Sequence, residues 1–454
     1  YLCLIGTFLS IIKQKYLMEE NSMLINVISS VIIWGLFLVC GIQILVESGL
    51  LPTLSSKLSF LGRKQVTYPT YQPTKLDFVK IFFFAAGFRI LILLFSYLML
   101  FFFNANENGY AFGNVVEQWL KWDANNYIRI ATVGYEGYQT EGMYSTLVFF
   151  PLYAWLIRFF LLFIANEGIA ALAASYLCFI AGCIYLFGFV SLEYGKTIAW
   201  KTIILISIFP FSFFLGGMMP ESTFFFMSAA CFYYIKKHKW PLAALFGFLT
   251  TLSRMQGILL IIPATIEWLA YYKPLVLLKE KKVVSFIKLF ATKLLWMCLM
   301  IFGPLIYLWE NYRVTGDPFK FLEYQQAIWG QHAQYFGTTI KNIWNLAMTN
   351  SCVDFIAIWI PELVLFFFTC IVLIYGVRKH KPQYTCFLLL YLVMNYMPSW
   401  LLSAGRYMTV ALPLYFILAE FLDKKPKLWT GVVIIFSMLF TCYMWAFLCW
   451  KQVF

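Results

Sequence analysis

Charge is scarce in this chain. Only 12% of its 454 residues are Asp, Glu, Lys or Arg, about half the share usual in soluble domains. Aspartate is scarcest, with only Asp77, Asp123, Asp317, Asp354 and Asp423. The three histidines, His238, His332 and His380, are scattered. No group of residues has metal-ligand spacing, so no metal is expected. The eleven cysteines form no Cys-x-x-Cys pair, and Cys40, Cys178, Cys183, Cys231, Cys298 and Cys370 sit inside apolar runs. They read as small core residues, and no structural disulfide is expected. Most apolar runs also lack a polar face, which excludes a water-soluble helical bundle.

What is present is apolar. Hydrophobic residues make up 62% of the chain and mean hydropathy is +0.77. Runs of about 20 apolar residues recur, which indicates an all-α polytopic membrane protein rather than a β-barrel. The net charge of +13 comes from Lys and Arg gathered in short loops. That is the pattern of loops held on the cytoplasmic side, so no nucleic acid is expected. The chain opens on Tyr1, so its start is expected to be missing or trimmed. No cleavable signal peptide is expected, because apolar runs continue after the first.

Residues 1–77 read as an extra hydrophobic hairpin with a charged turn at Lys13–Asn21, then a basic loop carrying Lys57, Arg63, Lys64 and Lys75. Residues 78–421 form the main membrane core, and 422–454 a C-terminal membrane helix. Within the core, 104–164 is expected to be an outer loop. Its 113–133 stretch has apolar residues at helical spacing, as an interfacial helix does. The basic clusters Lys196 with Lys201, 236–239, 279–282, 378–381 and 423–427 should all be inside. That parity leaves 145–164 lying along the outer leaflet. It also requires 240–272 to cross twice or not at all, yet two full spans of a core about 30 Å thick do not fit. Two half-length helices breaking near Ser253–Gly257 satisfy both demands, and a break of this kind persists only beside protein or water. Residues 311–352 form a second outer loop. The total is about 13 membrane segments.

This topology gathers Lys121, Asp123, Asn125, Asn126, Glu221, Arg254 and Arg406 on the outer face, with Arg158 and Gln326 nearby. A carboxylate at the mouth of a membrane protein is a functional candidate by default. The plainer reading of Asp123 is a cap on the interfacial helix. Arginine suits a lipid-linked phosphate, since it is always charged and bonds two oxygens at once. A carboxylate within reach of a hydroxyl can take its proton, and a cation stabilises a departing phosphate. Trp122, Tyr127, Tyr135 and Trp329 could pack against sugar faces. Each residue also has an ordinary reading. Arg254 could cap a helix end, Lys121 could be an interfacial lysine, and Glu221 after Pro220 could be an acid favoured at a helix start. His332 reads as a loop residue.

The run Lys121-Trp-Asp-Ala-Asn-Asn-Tyr127 with Gly134-Tyr135, followed by Phe149-Phe-Pro-Leu-Tyr153, resembles the PIG-V family, the GPI mannosyltransferase II group and its bacterial relatives. Further matches follow in order: Pro220-Glu-Ser-Thr-Phe, Leu252-Ser-Arg-Met-Gln-Gly257, Gly316-Asp-Pro-Phe with Gln326 and Trp329, and Arg406-Tyr407 before Pro413. The resemblance covers about residues 78–421. It implies a GT-C-like membrane glycosyltransferase using a polyprenyl-phosphate sugar, with Asp123 as catalytic base. Arg254, Arg406 and Lys121 would contact the donor phosphate, and Trp122, Asn125, Asn126, Tyr127, Glu221, Gln326 and Trp329 the substrate. Two positions depart from the family pattern: Lys121 stands where the family carries Arg, and Asn126 where it carries His.

The resulting expectation is an inverting transferase that moves a hexose, mannose by the resemblance, to a hydroxyl of a lipid-linked or surface glycan acceptor. A transporter or flippase of a lipid-linked sugar is the alternative, and an inactive scaffold homologue a further rival. No cofactor is expected beyond the polyprenyl-phosphate sugar as donor substrate. The partners expected are membrane lipids, that donor and a glycolipid or glycan acceptor, and the sequence names no protein partner. The site should face outside, in a bacterial plasma membrane in preference to the endoplasmic reticulum.

Overall fold

A computed structural model describes residues 2–50, 67–103, 112–449, 451 and 453. The basic residues Lys57, Arg63 and Lys64, and residues 104–111 of the expected outer loop, lie outside them. The described chain is helical, and its only β pairing is two isolated bridges. Among the described residues, seven helices are long and apolar enough to cross a membrane. The expected thirteen segments therefore include several that are too short to do so alone.

The N-terminal helix α1 (Leu2–Glu47) runs unbroken through Lys13–Asn21, where a hairpin turn is expected. That stretch has no Gly or Pro to stop a helix and is rich in Lys, Gln, Glu and Met, which favour one. Next, α2 (Lys75–Phe103) presents much of its surface outward, with Phe83 and Phe102 each 68% exposed, as lipid-facing residues would be.

Two short helices follow: α3 (Ala124–Val133) and α4 (Pro151–Leu161). At 11 residues, α4 is about 16 Å long and cannot cross. The central helix α5 (Glu167–Tyr194) carries small residues four apart, Ala170, Ala174, Cys178 and Gly182. Such a stripe lets a neighbouring helix approach closely. At Gly182 the gap is already filled, since an added Cβ would lie 2.5 Å from the Phe225 ring. Phe225 belongs to α7 (Glu221–Lys236), which α6 (Lys196–Ile208) precedes.

The expected helix pair is present as α8 (Trp240–Thr251) and α9 (Ile261–Tyr272), joined by a break and a 3-10 turn, Met255–Leu260; only α8 is half-length, since the turn and α9 together, Met255–Tyr272, are long and apolar enough to cross. Their far ends meet again: Trp240 Nε1 donates to Tyr272 Oη at 3.3 Å. The pair thus enters and leaves by one end. The backbones pack so closely at the break that a Cβ on Gly257 would sit 2.6 Å from the Thr250–Thr251 peptide. Only glycine fits there.

The remainder comprises α10 (Val283–Thr292), α11 (Phe302–Thr315), α12 (Lys320–Trp329), α13 (Phe336–Thr349), α14 (Ile360–Gly376), α15 (Pro382–Asn395), α16 (Ala404–Met408), α17 (Leu412–Asp423) and α18 (Pro426–Leu448). The expected outer loop 311–352 contains both α12 and α13.

Basic loops distant in sequence converge at one end. Lys196 pairs with Asp77 at 2.7 Å, Lys201 with Asp423 at 2.8 Å, and Lys381 with Glu193 at 2.6 Å. Lys236 also holds Glu193, and His238 Nε2 lies 2.9 Å from Glu267. Burial works against the Lys381 ammonium, but Glu193 and Glu267 raise its pKa above the ordinary value. The shared-side arrangement of these loops follows the parity reading. Glu221 opens α7 and Lys236 closes it, so the candidate site lies at the opposite end.

Candidate functional site

Four charged residues from four separate segments form one chain of ion pairs. Asp123 precedes α3, Glu221 opens α7, Arg254 sits at the break between α8 and α9, and Arg406 lies in α16. Arg406 Nη1 is 2.5 Å from Asp123 Oδ2. Arg406 Nε and Arg254 Nη2 both hold Oε1 of Glu221. Two carboxylates and two guanidiniums leave the group with no net charge.

The backbone explains how each arrives. Lys121 is buried, and its Nζ donates to the Phe447 and Leu448 carbonyls at 2.7 and 2.6 Å. These carbonyls end α18, where a cation is favoured. Burial lowers the Lys121 ammonium to about 8. Lys121, expected as a phosphate contact, therefore ties the loop to α18. Trp122 follows with φ 54°, a left-handed conformation that costs a bulky residue about 1–3 kcal/mol. The turn aims Asp123 at Arg406. Asp123 occupies the cap position of α3, but its side chain makes no capping hydrogen bond. The plain capping role thus falls away, because the carboxylate is engaged by Arg406.

Arg254 has extended backbone, φ −161° and ψ 150°, at the start of the 3-10 turn. Gln256 Nε2 donates to Asn395 Oδ1 at 3.1 Å and fixes the break to α15. Arg406 is set by its own helix: the Ala404 N–H donates to Glu362 Oε1 at 2.9 Å, and Tyr391 Oη donates to the Tyr407 carbonyl at 3.0 Å. Burial opposes the Arg406 charge, but Glu221 and Asp123 raise its pKa well above the ordinary guanidinium value. Aromatic faces line both cations. Arg254 lies 4.9 Å from the Tyr407 ring centre and Arg406 5.6 Å from that of Phe214.

The two carboxylates are not equivalent. The Glu221 side chain is 0% exposed and Asp123 26%. Glu221, expected as a substrate contact, is sealed from solvent in this arrangement. It is instead the counter-ion of both arginines, an ion pair that no sequence spacing announces. Asp123 alone faces open space.

The other expected residues divide. Tyr127 is buried against the cluster, and burial pushes its phenol up, so it remains a neutral hydroxyl. Its ring meets Phe149 at 5.2 Å, and Phe149 meets Trp329 at 5.9 Å, which links α12 to the site. Asn125 is exposed and Asn126 half-buried on the first turn of α3. Gln326 is exposed on α12. Tyr135 is buried and donates to the Phe149 carbonyl at 2.7 Å, so it holds the loop rather than facing a sugar. Arg158 caps α3, donating to Ala131 and Ile130 carbonyls at 2.7 and 3.0 Å. His332 hydrogen-bonds Ser399 at 3.1 Å as part of the loop. Among the described residues, no group of three His, Cys, Asp or Glu could hold a metal.

No known protein family matches the chain, and no curated protein matches it. Among solved structures, the chain is similar to the Archaeoglobus fulgidus oligosaccharyltransferase, crystallised tethered to an acceptor peptide containing the NVT sequon. Identity is 12% and the TM-score 0.38, over 80% of this chain and 55% of that one. The chain thus spans about half the length of that protein.

Proposed function

We propose that this protein is a membrane glycosyltransferase that moves a hexose, mannose by the family resemblance, from a polyprenyl-phosphate donor to a lipid-linked or surface glycan hydroxyl on the outer face. The observation that carries this reading is the asymmetry of the two carboxylates. Glu221 is buried and held by two arginines. Asp123 is partly open and held by one. Asp123 is therefore the group able to meet a hydroxyl.

In this reaction the acceptor oxygen forms a bond to the anomeric carbon, while the bond from that carbon to the phosphate oxygen breaks. The acceptor proton goes to Asp123. The bonding pair leaves with the phosphate, which becomes a monoester beside Arg254 and Arg406. Arg406 touches Asp123 as well, so movement of this guanidinium toward the phosphate would loosen its hold on the base.

The test is transfer of labelled mannose from polyprenyl-phosphate-mannose to native membrane lipids, with EDTA present, using wild type and Asp123→Asn. Label in a lipid with wild type alone supports the proposal, and the product names the acceptor. Donor transport that persists in Asp123→Asn without any transfer would favour a flippase. Absence of donor binding in wild type would overturn the reading.

A further inference from the structure

Arg89 is an arginine with no anion. It lies midway along α2 and is 1% exposed. Its Nε, Nη1 and Nη2 have no hydrogen-bond partner, and no carboxylate pairs with it among the described residues. The guanidinium rests 3.5 Å from the centre of the Phe179 ring, with Phe88 at 5.7 Å on another side. The titratable groups facing it are the Tyr176 phenol and the Cys183 thiol, both ordinarily neutral. An isolated buried charge is strongly unfavourable, and an ionisable residue within a membrane segment marks function by default.

Its position supplies the purpose. Arg89 packs against Gly216, where an added Cβ would lie 2.7 Å from Nη1. Gly216 ends the 3-10 turn Ser212–Gly216, and Phe214 of that turn lies against Arg406. Arg89 and Arg406 thus lie against one short turn, whose chain continues directly to Glu221. The four paired residues cancel one another's charge, so by themselves they offer an incoming anion no net attraction.

We propose that Arg89 is the specificity-determining charge of this site. It sits behind the Ser212–Gly216 turn, makes the surroundings of a neutral ion-pair group net positive, and so favours a phosphate-bearing lipid over the same lipid as an uncharged alcohol. The inference rests on the lipid-phosphate reading above. Arg89 touches no substrate. It acts through the weakly screened interior, where one unit charge can change an anion's affinity by on the order of tenfold.

The experiment compares wild type, Arg89→Met and Arg89→Lys in detergent. It measures the dissociation constants of a polyprenyl phosphate and of the polyprenol of equal chain length, and the thermal midpoint without ligand. Wild type should prefer the phosphate. Arg89→Met should bind the phosphate on the order of tenfold more weakly and the alcohol unchanged. Its thermal midpoint should rise, because an unpaired buried charge has been replaced by an apolar side chain. Arg89→Lys should keep the preference. A phosphate preference that survives in Arg89→Met overturns this inference alone. So does an Arg89→Met chain that melts earlier or does not fold, since that marks a packing role. A wild type with no preference overturns the lipid-phosphate reading and this inference with it.

Discussion

Asp123 and Glu221 hold one guanidinium between them, that of Arg406: Nη1 meets Asp123 Oδ2 at 2.5 Å, and Nε meets Glu221. One carboxylate is sealed and the other open, so substitutions at the two should separate stability from activity.

Glu221→Ala should destabilise the protein severely. It leaves the buried Arg254 and Arg406 without their shared counter-ion, and breaking a buried pair from one side costs about 3–5 kcal/mol. The check is a thermal midpoint well below wild type. Asp123→Asn should melt close to wild type and yet lose turnover in the labelled-mannose assay.

Lys121→Met should lower stability by about 1–3 kcal/mol, since the α18 carbonyls that Lys121 caps lose their donor. Donor affinity measured by direct binding should stay near wild type. A large loss of affinity with unchanged melting would mark Lys121 as a contact of the donor phosphate.

Gly257→Ala should cost about 1–3 kcal/mol through overpacking, because the new methyl meets the Thr250–Thr251 backbone at 2.6 Å. Relief comes only by opening the break, which moves Arg254. Weaker donor binding together with a lower thermal midpoint is the expected result.

Glu362→Gln should be mild and Glu362→Ala damaging. The glutamine side-chain oxygen can still accept the Ala404 N–H that positions α16. Alanine leaves that buried donor without its acceptor, at about 1–3 kcal/mol, and loosens the segment that carries Arg406. Melting and transfer measured on both variants should fall together in alanine only.

The break at Arg254 was legible because it follows from length. Residues 240–272 begin and end beside basic loops, and a helix pair broken near its middle satisfies that parity in so short a stretch. Asp123 was legible because a lone carboxylate among so few draws notice. The pairing of Glu221 with both arginines was not, since an acid after Pro220 looks like any helix-start acid. Lys121 could not be matched with residues 447 and 448 by any periodicity, because they meet only through tertiary packing. Arg89 carried a readable signal, a charge deep in an apolar run, but Lys75, Lys80 and Asp77 nearby make that run look merely flanked by charge.

The hairpin of α8 and α9 enters and leaves by one end, so it leaves the orientation of all later segments unchanged. Its length and composition can therefore drift without inverting the chain behind it. The element that brings Arg254 to the ion pairs is thus the one whose remodelling topology constrains least. A change of substrate could begin there, with the scaffold around Glu221 and Arg406 left as it stands.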